Sequence, residues 1–578
     1  MSDIYRMFAL IAAGGIAILG GLGCSGPTTA SGLLGDLPKQ QQELPANVDG
    51  TIAQYAELSG GGEMAVSGYG VVAGLGNSGS REVPSHLREY LTQYMLKQKV
   101  FSPMTGTGNV SPSRILEDLD TAVVVVTGII PPGAPPGTIF DLQVTALPQT
   151  QTQSLDGGYL YPVELSLSIE GAAGVARASK PMAEGGGPVF INPFIDPSSP
   201  AEAAKLREGR IIAGGVVLEP RPIRLILYQA DYARCSAIEK RINERFHTSP
   251  PVAVAKNPSV IEINIPLQFQ ADYERFLQLL MHMPVRGGPA QWEAQSRKIG
   301  LEMQNPSADH DALALVWEAT GKGVLPIIQP LYDGENPLVA FYAARTGCRL
   351  EDATSVQAIA RTAAAKDSPL RLQAIGELGL HRQWTSVLKP LHQLLDDPNE
   401  LVRVAAYEAL VNLDDGLKVQ RVQVGKSFYV DIVDTSGPSV ICASQSLQQR
   451  IVLFGRDMRL QQPMFLSTPG ELVTISSGQV GEPLRVYRKI IRSGKFSDVF
   501  NVDNKVFTLI EVMGSPPYRG ADNSIKGMGL TYGQVVAVLN RLCESGEIRA
   551  KFVLQPLPQM KKIYQSPATV GRPDVPQL

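Results

Sequence analysis

A repeat in the middle of the chain constrains the fold more than any other feature. The segments LVAFYAAR, LRLQAIGEL and VRVAAYEAL begin at Leu338, Leu370 and Val402, a constant step of 32 residues. A turn with proline or acidic residues precedes each segment, and before it lies another amphipathic helix, such as VLPIIQPL or VLKPLHQLL. Two-helix repeats of this length stack into an α-solenoid, because one pair alone leaves its apolar face uncovered. The sequence therefore predicts an all-helical block over residues 290–416.

The second helix of this repeat resembles that of HEAT-type repeats. In that family it often begins with an aliphatic–arginine pair, as Leu370-Arg371 and Val402-Arg403 do here. A solenoid of this kind presents a concave surface suited to another protein, so we expect a protein partner of unknown identity on the helical repeats. His381 and His392 fall in this block, where we expect them to face solvent.

Strand patterns dominate on both sides of the helical block, so the fold class is α+β multidomain. Residues 61–215 read as a mainly-β domain, with TAVVVVTGII and TIFDLQVTAL as two strands around a proline-glycine turn. Residues 216–287 alternate strand and helix, with Asp231 as a helix cap. Residues 417–555 end in the helix YGQVVAVLNRLCES and the strand EIRAKFVLQ.

The first residues have the layout of an export signal. A short charged start, an apolar run of small residues and Cys24 resemble a bacterial lipoprotein signal over residues 1–24, in which that cysteine is lipidated. An uncleaved membrane anchor is the alternative. Residues 25–60, rich in Ser, Pro, Gln and Gly, read as a flexible tether, and the proline-rich residues 556–578 as a disordered tail.

Charge and cysteine spacing exclude several classes of function. A formal net charge of -3 at pH 7 provides no general attraction to nucleic acid. Besides Cys24 there are four cysteines, which form no CxxC pair, and the six histidines have no paired-ligand spacing, so we expect neither a metal nor a cofactor. Spacing assigns no disulfide, and we interpret the four as buried free thiols: Cys235, Cys348, Cys442 and Cys543.

The stretch VSGYGVVAGLGNSGS, residues 66–80, looks at first like a phosphate-binding loop. Such a loop needs a strand, glycines and then a helix whose first amides face the anion. Here the glycines are interleaved with valines in the strand itself, Ala73 stands where the dinucleotide pattern needs glycine, and no lysine follows. We interpret them as glycines that the fold requires, at Gly68, Gly70, Gly74 and Gly76. No serine elbow or other catalytic motif is found either, so we expect that the protein is not an enzyme.

Several segments, taken in order, resemble the bacterial flagellar P-ring protein family. They are GYGVVAGLGNSG, DTAVVVVTGIIPPGAPPGTIFDLQVTAL, SLDGGYL, the helix with Asp231, Ile242, Asn243 and Phe246, FLQLL, RIVLFGRDMRL from Arg450, and QVVAVLNRLCESGEIRAKFVL from Gln534. The resemblance covers roughly residues 61–287 and 420–555, and the helical block interrupts it as an insertion. Two separated blocks of sequence should therefore meet in space as one body.

The resemblance implies a non-enzymatic subunit of a periplasmic ring around the flagellar rod. The implied partners are further copies of the chain in the ring, the rod and L-ring proteins, and peptidoglycan, together with a membrane through the lipid on Cys24. A periplasmic scaffold or binding lipoprotein that uses the same fold outside the flagellum is the alternative.

Overall fold

The computed structural model describes residues 47–97, 111–167, 180–195, 199–285, 287–425, 427–468, 472–490, 495–520 and 525–555. They form an α+β structure of several units with a β-rich amino-terminal part. The proposed signal at 1–24 with Cys24, the first part of the proposed tether and the tail at 556–578 lie outside these residues.

The amino-terminal part contains a closed barrel of six antiparallel strands, which neighbour one another in the order β2-β3-β4-β7-β6-β5. The alternation in TIFDLQVTAL places Phe140, Leu142 and Val144 inside the barrel, where they are buried. The elements up to the end of the barrel are β1 (Ala56–Ser59), β2 (Met64–Ala73), α1 (Ser85–Lys97), α2 (Pro112–Leu116), β3 (Thr121–Ile130), β4 (Ile139–Ala146), β5 (Tyr159–Leu167), β6 (Ala183–Pro188), α3 (Pro200–Ala203) and β7 (Glu208–Val217).

A four-stranded antiparallel sheet with two helices on one face follows; we call it the α/β unit. Its strand order is β1-β8-β10-β9. Asp231 caps its first helix as expected, since its side chain accepts a hydrogen bond from the amide of Arg234. The elements are β8 (Ile223–Leu227), α4 (Tyr232–Phe246), β9 (Ala253–Asn257), β10 (Val260–Ile263) and α5 (Tyr273–Met281).

The tether expected over residues 25–60 ends earlier than we expected. Val48, Ile52 and Ala53 are buried in the core of the α/β unit, and β1 pairs with β8 from Ala56↔Leu227 to Ser59↔Arg224. The low-complexity composition of the preceding residues hid a short apolar run that completes the sheet. Residues from 47 on therefore belong to the folded body.

The block predicted as helical repeats is helical in the structure, and α7, α9, α11 and α13 pack against one another in succession. Arg371 and Arg403, one repeat step apart, make the same contact: each Nε donates to the carbonyl eight residues earlier, of Ala363 and Leu395, at 2.9 Å. The HEAT-like assignment itself stays a prediction. The helices of this segment are α6 (Pro289–Glu302), α7 (His310–Thr320), α8 (Leu325–Ile328), α9 (Pro337–Arg349), α10 (Val356–Ala364), α11 (Arg371–Leu378), α12 (Leu388–Leu394) and α13 (Glu400–Asn412).

The remaining residues form the carboxy-terminal unit, which has two main sheets and two helices. One mixed sheet has the order β11-β12-β14-β13-β22, and a second has the order β15-β16-β17-β18 with β19 also on β17. The elements are β11 (Val419–Val424), β12 (Phe428–Val433), β13 (Val440–Ala443), β14 (Arg450–Phe454), β15 (Met464–Ser467), β16 (Val473–Ser477), β17 (Leu484–Ile490), β18 (Lys495–Phe496), β19 (Phe500–Val502), α14 (Val506–Gly514), β20 (Tyr518–Arg519), β21 (Ile525–Lys526), α15 (Tyr532–Glu544) and β22 (Lys551–Leu554).

The mixed sheet of the carboxy-terminal unit is buried on both faces. Cys442, Val452 and Phe454 lie in one core with the helical segment, while Ile441 and Leu453 lie in another with the second sheet, α14 and α15. Burial on both faces explains why β13 and β14 read as continuous apolar runs instead of alternating ones. The helical segment thus shares a hydrophobic core with this unit.

Candidate functional site

The glycine-rich stretch forms most of strand β2 and the turn after it. An added Cβ would lie 2.4 Å from the carbonyl oxygen of Glu164 at Gly68 and 2.8 Å from Leu160 Cδ1 at Gly70. Gly74 and Gly76 have φ angles of +87° and +63°, a region that favours glycine. The next helix, α1, begins at Ser85, so the strand runs into a turn and not directly into a helix that could receive a phosphate.

The two separated blocks of sequence meet at Asp141, in the middle of β4. Its carboxylate accepts hydrogen bonds from the amide of Ala213 on β7 (2.8 Å), from Ser446 Oγ (2.6 Å) and from the amide of Leu447 (3.1 Å). Ser446 and Leu447 belong to the loop between β13 and β14, about 300 residues further along the chain. One partly buried carboxylate therefore ties the barrel to the carboxy-terminal unit.

Aromatic side chains fill the rest of this junction. The ring centroids of Phe190, beside the barrel, and Tyr532, in the first turn of α15, are 5.7 Å apart. The Tyr532 hydroxyl donates to the carbonyl oxygens of Ser444 (2.6 Å) and Arg450 (3.0 Å). Burial raises the pKa of this hydroxyl, which keeps it protonated and able to donate. An edge-to-face pair joins Phe194 and Phe552, with centroids 6.0 Å apart.

An open cleft of about 690 Å³ lies along the same junction. Barrel residues such as Tyr159 and Ile212 form one wall, and Tyr429, Pro516 and Leu530 of the carboxy-terminal unit form the other. Within the described part of the chain, the lining contains no carboxylate, imidazole, thiol, lysine or arginine. Such a surface can bind by shape and apolar contact, but it offers no strong general acid or base.

Asn243, one of the residues that carry the family resemblance, closes an edge of the α/β unit. Its side-chain amide donates to the carbonyl oxygen of Ala253 (2.9 Å) and accepts from the amide of Ala253 (3.0 Å) on the edge strand β9. Glu239 accepts from the next outward amide, of Ala255, at 3.0 Å. These contacts occupy backbone groups that a further strand would otherwise pair with.

The cysteines and histidines that the structure describes do not come together in a site. Burial raises the pKa of the Cys348, Cys442 and Cys543 thiols to about 12, and these three and Cys235 are free. Such thiols are poor nucleophiles. Among the described residues, no group of three or more His, Cys, Asp and Glu is placed to hold a metal ion. None of the described helices is long and apolar enough to cross a bilayer.

The expectation that His381 faces solvent was wrong. Its side chain is buried, stacks on Trp384 with ring centroids 5.1 Å apart, and places Nε2 3.2 Å from Oε1 of Glu377. His392 is partly buried, with Nε2 2.6 Å from Oδ2 of Asp415. The contacts named for His381 lie three and four residues away along the chain, and that of His392 lies 23 residues away. The burial of these side chains is a tertiary effect, which the pattern of a single helix does not reveal.

Comparison with known proteins identifies a related family for the first part of the body. Residues 51–291 match the model of the family described as flagellar P-ring protein. The flagellar P-ring protein of Geobacter metallireducens is 29% identical over 241 residues, covering 39% of this chain and 60% of the relative. That of Geobacter sulfurreducens is 27% identical over 344 residues, covering 56% of this chain and 86% of the relative. That of Thermotoga maritima is 29% identical over 240 residues, covering 41% of this chain and 66% of the relative.

Proposed function

We propose that this chain, whose residues 51–291 match the flagellar P-ring family, is a non-enzymatic structural subunit of a ring around the flagellar rod. The observation that carries the proposal is the junction at Asp141, since it joins the family-matched barrel to the carboxy-terminal unit as one body. Among the described residues, the cleft at this junction is lined mainly by apolar groups, as expected of a surface that packs against another protein.

Ring closure needs two different surfaces on each subunit, because a head-to-tail contact repeats around the ring. We propose that the partners are further copies of this chain, rod and L-ring proteins and peptidoglycan. The location that goes with them is the periplasm, with attachment to a membrane through a lipid on Cys24. The helical segment lies beyond the residues that match the family, so a scaffold lipoprotein outside the flagellum is the second candidate.

Electron microscopy of the purified, delipidated chain, combined with a deletion strain, tests the first candidate. We expect rings of uniform diameter under assembly conditions and a loss of swimming in the deletion strain. Persistent monomers together with normal motility would rule out the flagellar role and favour the scaffold.

Fractionation of a Cys24→Ser variant tests the lipid tether separately. We expect the variant to move from the membrane to the soluble fraction, while a Cys543→Ser control stays with the membrane. An unchanged distribution of the Cys24→Ser variant would contradict lipidation at this residue.

A further inference from the structure

We propose that the helical segment, residues 289–412, is an internal brace. Together with the Asp141 junction it closes a circuit of four packed units in one chain: barrel, α/β unit, helical segment, carboxy-terminal unit and back to the barrel. In such a circuit each joint is supported by the path through the other three. The inference concerns the mechanics of a single chain and does not depend on ring formation or on a flagellum.

The first joint of the brace connects it to the α/β unit through arginines. Arg275 of α5 forms an ion pair with Glu318 of α7. Arg241 and Arg245 of α4 donate to the carbonyl oxygens of Ala319 and Glu318, each at 3.4 Å. These carbonyls lie in the last turn of α7, where the helix dipole favours a positive charge. Three arginines of the α/β unit thus contact the carboxy-terminal end of α7.

A ladder of buried charges continues through the brace. Arg349 of α9 lies between Glu318 (3.5 Å) and Glu377 of α11 (2.7 Å), and His381 follows at 3.2 Å from Glu377. The side chains of Glu318, Arg349 and Glu377 are only 5%, 12% and 3% exposed. Burial alone would raise the pKa of the Glu377 carboxyl, but Arg349 and His381 together hold it well below its ordinary value. Each buried carboxylate has a cationic neighbour, as buried charges require.

The second joint connects the brace to the carboxy-terminal unit. The Tyr407 hydroxyl of α13 donates to the fully buried carboxylate of Asp431 on β12. Arg421 donates two further hydrogen bonds to the same carboxylate, each at 2.8 Å. Arg403 donates to the carbonyl oxygen of Pro438. Asp396, in the turn between α12 and α13, accepts hydrogen bonds from the amides of residues 436 and 437 at 2.7 and 3.0 Å. Directional polar contacts of this kind fix orientation as well as distance.

The remaining two joints close the circuit. Arg221, at the start of the α/β unit, donates to the carbonyl oxygens of Ile130 (3.1 Å) on the barrel and of Gly62. Asp141 makes the barrel contact with the carboxy-terminal unit. If one joint opens, both neighbouring units are still held by the other path. If a second joint also opens, no packed path is left between those two units, and only the polypeptide chain still connects them.

Double-variant hydrogen exchange on the purified chain tests this geometry. Asp141→Asn weakens one joint and Arg275→Met another, and the two residues share no contact among those described. The measurement is the exchange rate of backbone amides in β7 and α15, in each single variant and in the pair. If the two joints are independent, the increase in exchange rate in the double variant equals the product of the two single increases to within a factor of about two. If the circuit is closed, we expect the increase in the double variant to exceed that product by about threefold or more.

An increase in exchange rate below this threefold excess would contradict the proposed brace, since the two joints would then act independently. A matched pair of Asp141→Asn with Arg361→Gln serves as control, because Arg361 pairs with Asp333 on the exposed surface within the brace and not at a joint. If the Arg275→Met pair does not fold, Asp141→Asn with Tyr407→Phe tests the same circuit, since Arg421 still pairs with Asp431 in that variant.

Discussion

Asp141 shows how much of this structure depends on single residues that the sequence does not mark. It occupies an outward position of an alternating strand, where a carboxylate is ordinary. Its partners are on β7 and in a loop about 300 residues away, so no local sequence pattern indicates that Asp141 joins the barrel to the carboxy-terminal unit. Its contribution is visible only once the two blocks of sequence are placed side by side.

Replacement of Asp141 by alanine should lower the stability of the junction. The amides of Ala213 and Leu447 and the Ser446 hydroxyl lose their acceptor, and we expect a loss of about 1–3 kcal/mol in the free energy of unfolding. Urea unfolding followed by circular dichroism measures it. Asp333→Ala, which removes an exposed ion pair, is the control and should change stability by less than about 1 kcal/mol. Equal effects of the two substitutions would contradict the role of Asp141.

Glu377 should make the stability of the brace depend on pH. Its pKa is lower in the folded state than its ordinary value of 4.5, so its contribution is full above that value and is lost as the pH falls towards the folded-state pKa. We expect Glu377→Gln to cost about 3 kcal/mol at pH 7, and the difference from the unchanged chain to narrow by about 1.4 kcal/mol at pH 3.5. Urea titrations at both pH values test this. A difference that is constant or grows on acidification would contradict the direction of the pKa shift.

Strand β2 illustrates, at the scale of elements, how one sequence pattern admits two interpretations. Its glycines suggest a phosphate loop when read as a motif and a crowded strand when read with their valine neighbours. The local pattern was enough to favour the strand, because a binding loop requires a helix directly after it. The specific neighbours of Gly68 and Gly70, on β5 and β3, could not be deduced because strand pairing is a tertiary property.

Gly68→Ala should destabilise the barrel. The new Cβ would lie 2.4 Å from a backbone oxygen, which has no flexible end that can move aside, so we expect a cost of about 1–3 kcal/mol. Thermal unfolding measures it. Gly62→Ala is the matched control, since nothing lies within 4 Å of the added Cβ there. A Gly68→Ala variant as stable as the control would show that the strands separate without cost.

The helical segment is packed into the whole molecule more extensively than expected of a block inserted at an exposed loop. An insertion into an exposed loop can be removed without harm. Here the segment covers one face of the mixed sheet, and its two ends contact two different units of the chain. It begins close to residue 291, where the family match ends.

Replacement of residues 289–412 by a short flexible linker should expose that sheet face. Cys442, Val452 and Phe454 would meet water, and a patch of this kind promotes aggregation. We expect the shortened chain to bind a hydrophobic dye and to elute as aggregates in size-exclusion chromatography, whereas the full chain does neither. A soluble shortened chain with the dye binding of the full chain would show that the segment is dispensable for the fold.

The sequence by itself determined many of the elements: the helical segment from its repeat, several strands from alternation or from apolar runs, and the cap at Asp231 from its position before a helix. These features arise from interactions between residues close together along the chain, which a periodic pattern records. Only the tertiary structure decided that β1 completes the α/β unit, that His381 is buried and that Asp141 joins the two blocks. Each of these depends on which distant surfaces meet, and that choice follows from the burial of apolar area and the pairing of buried charges across the whole molecule.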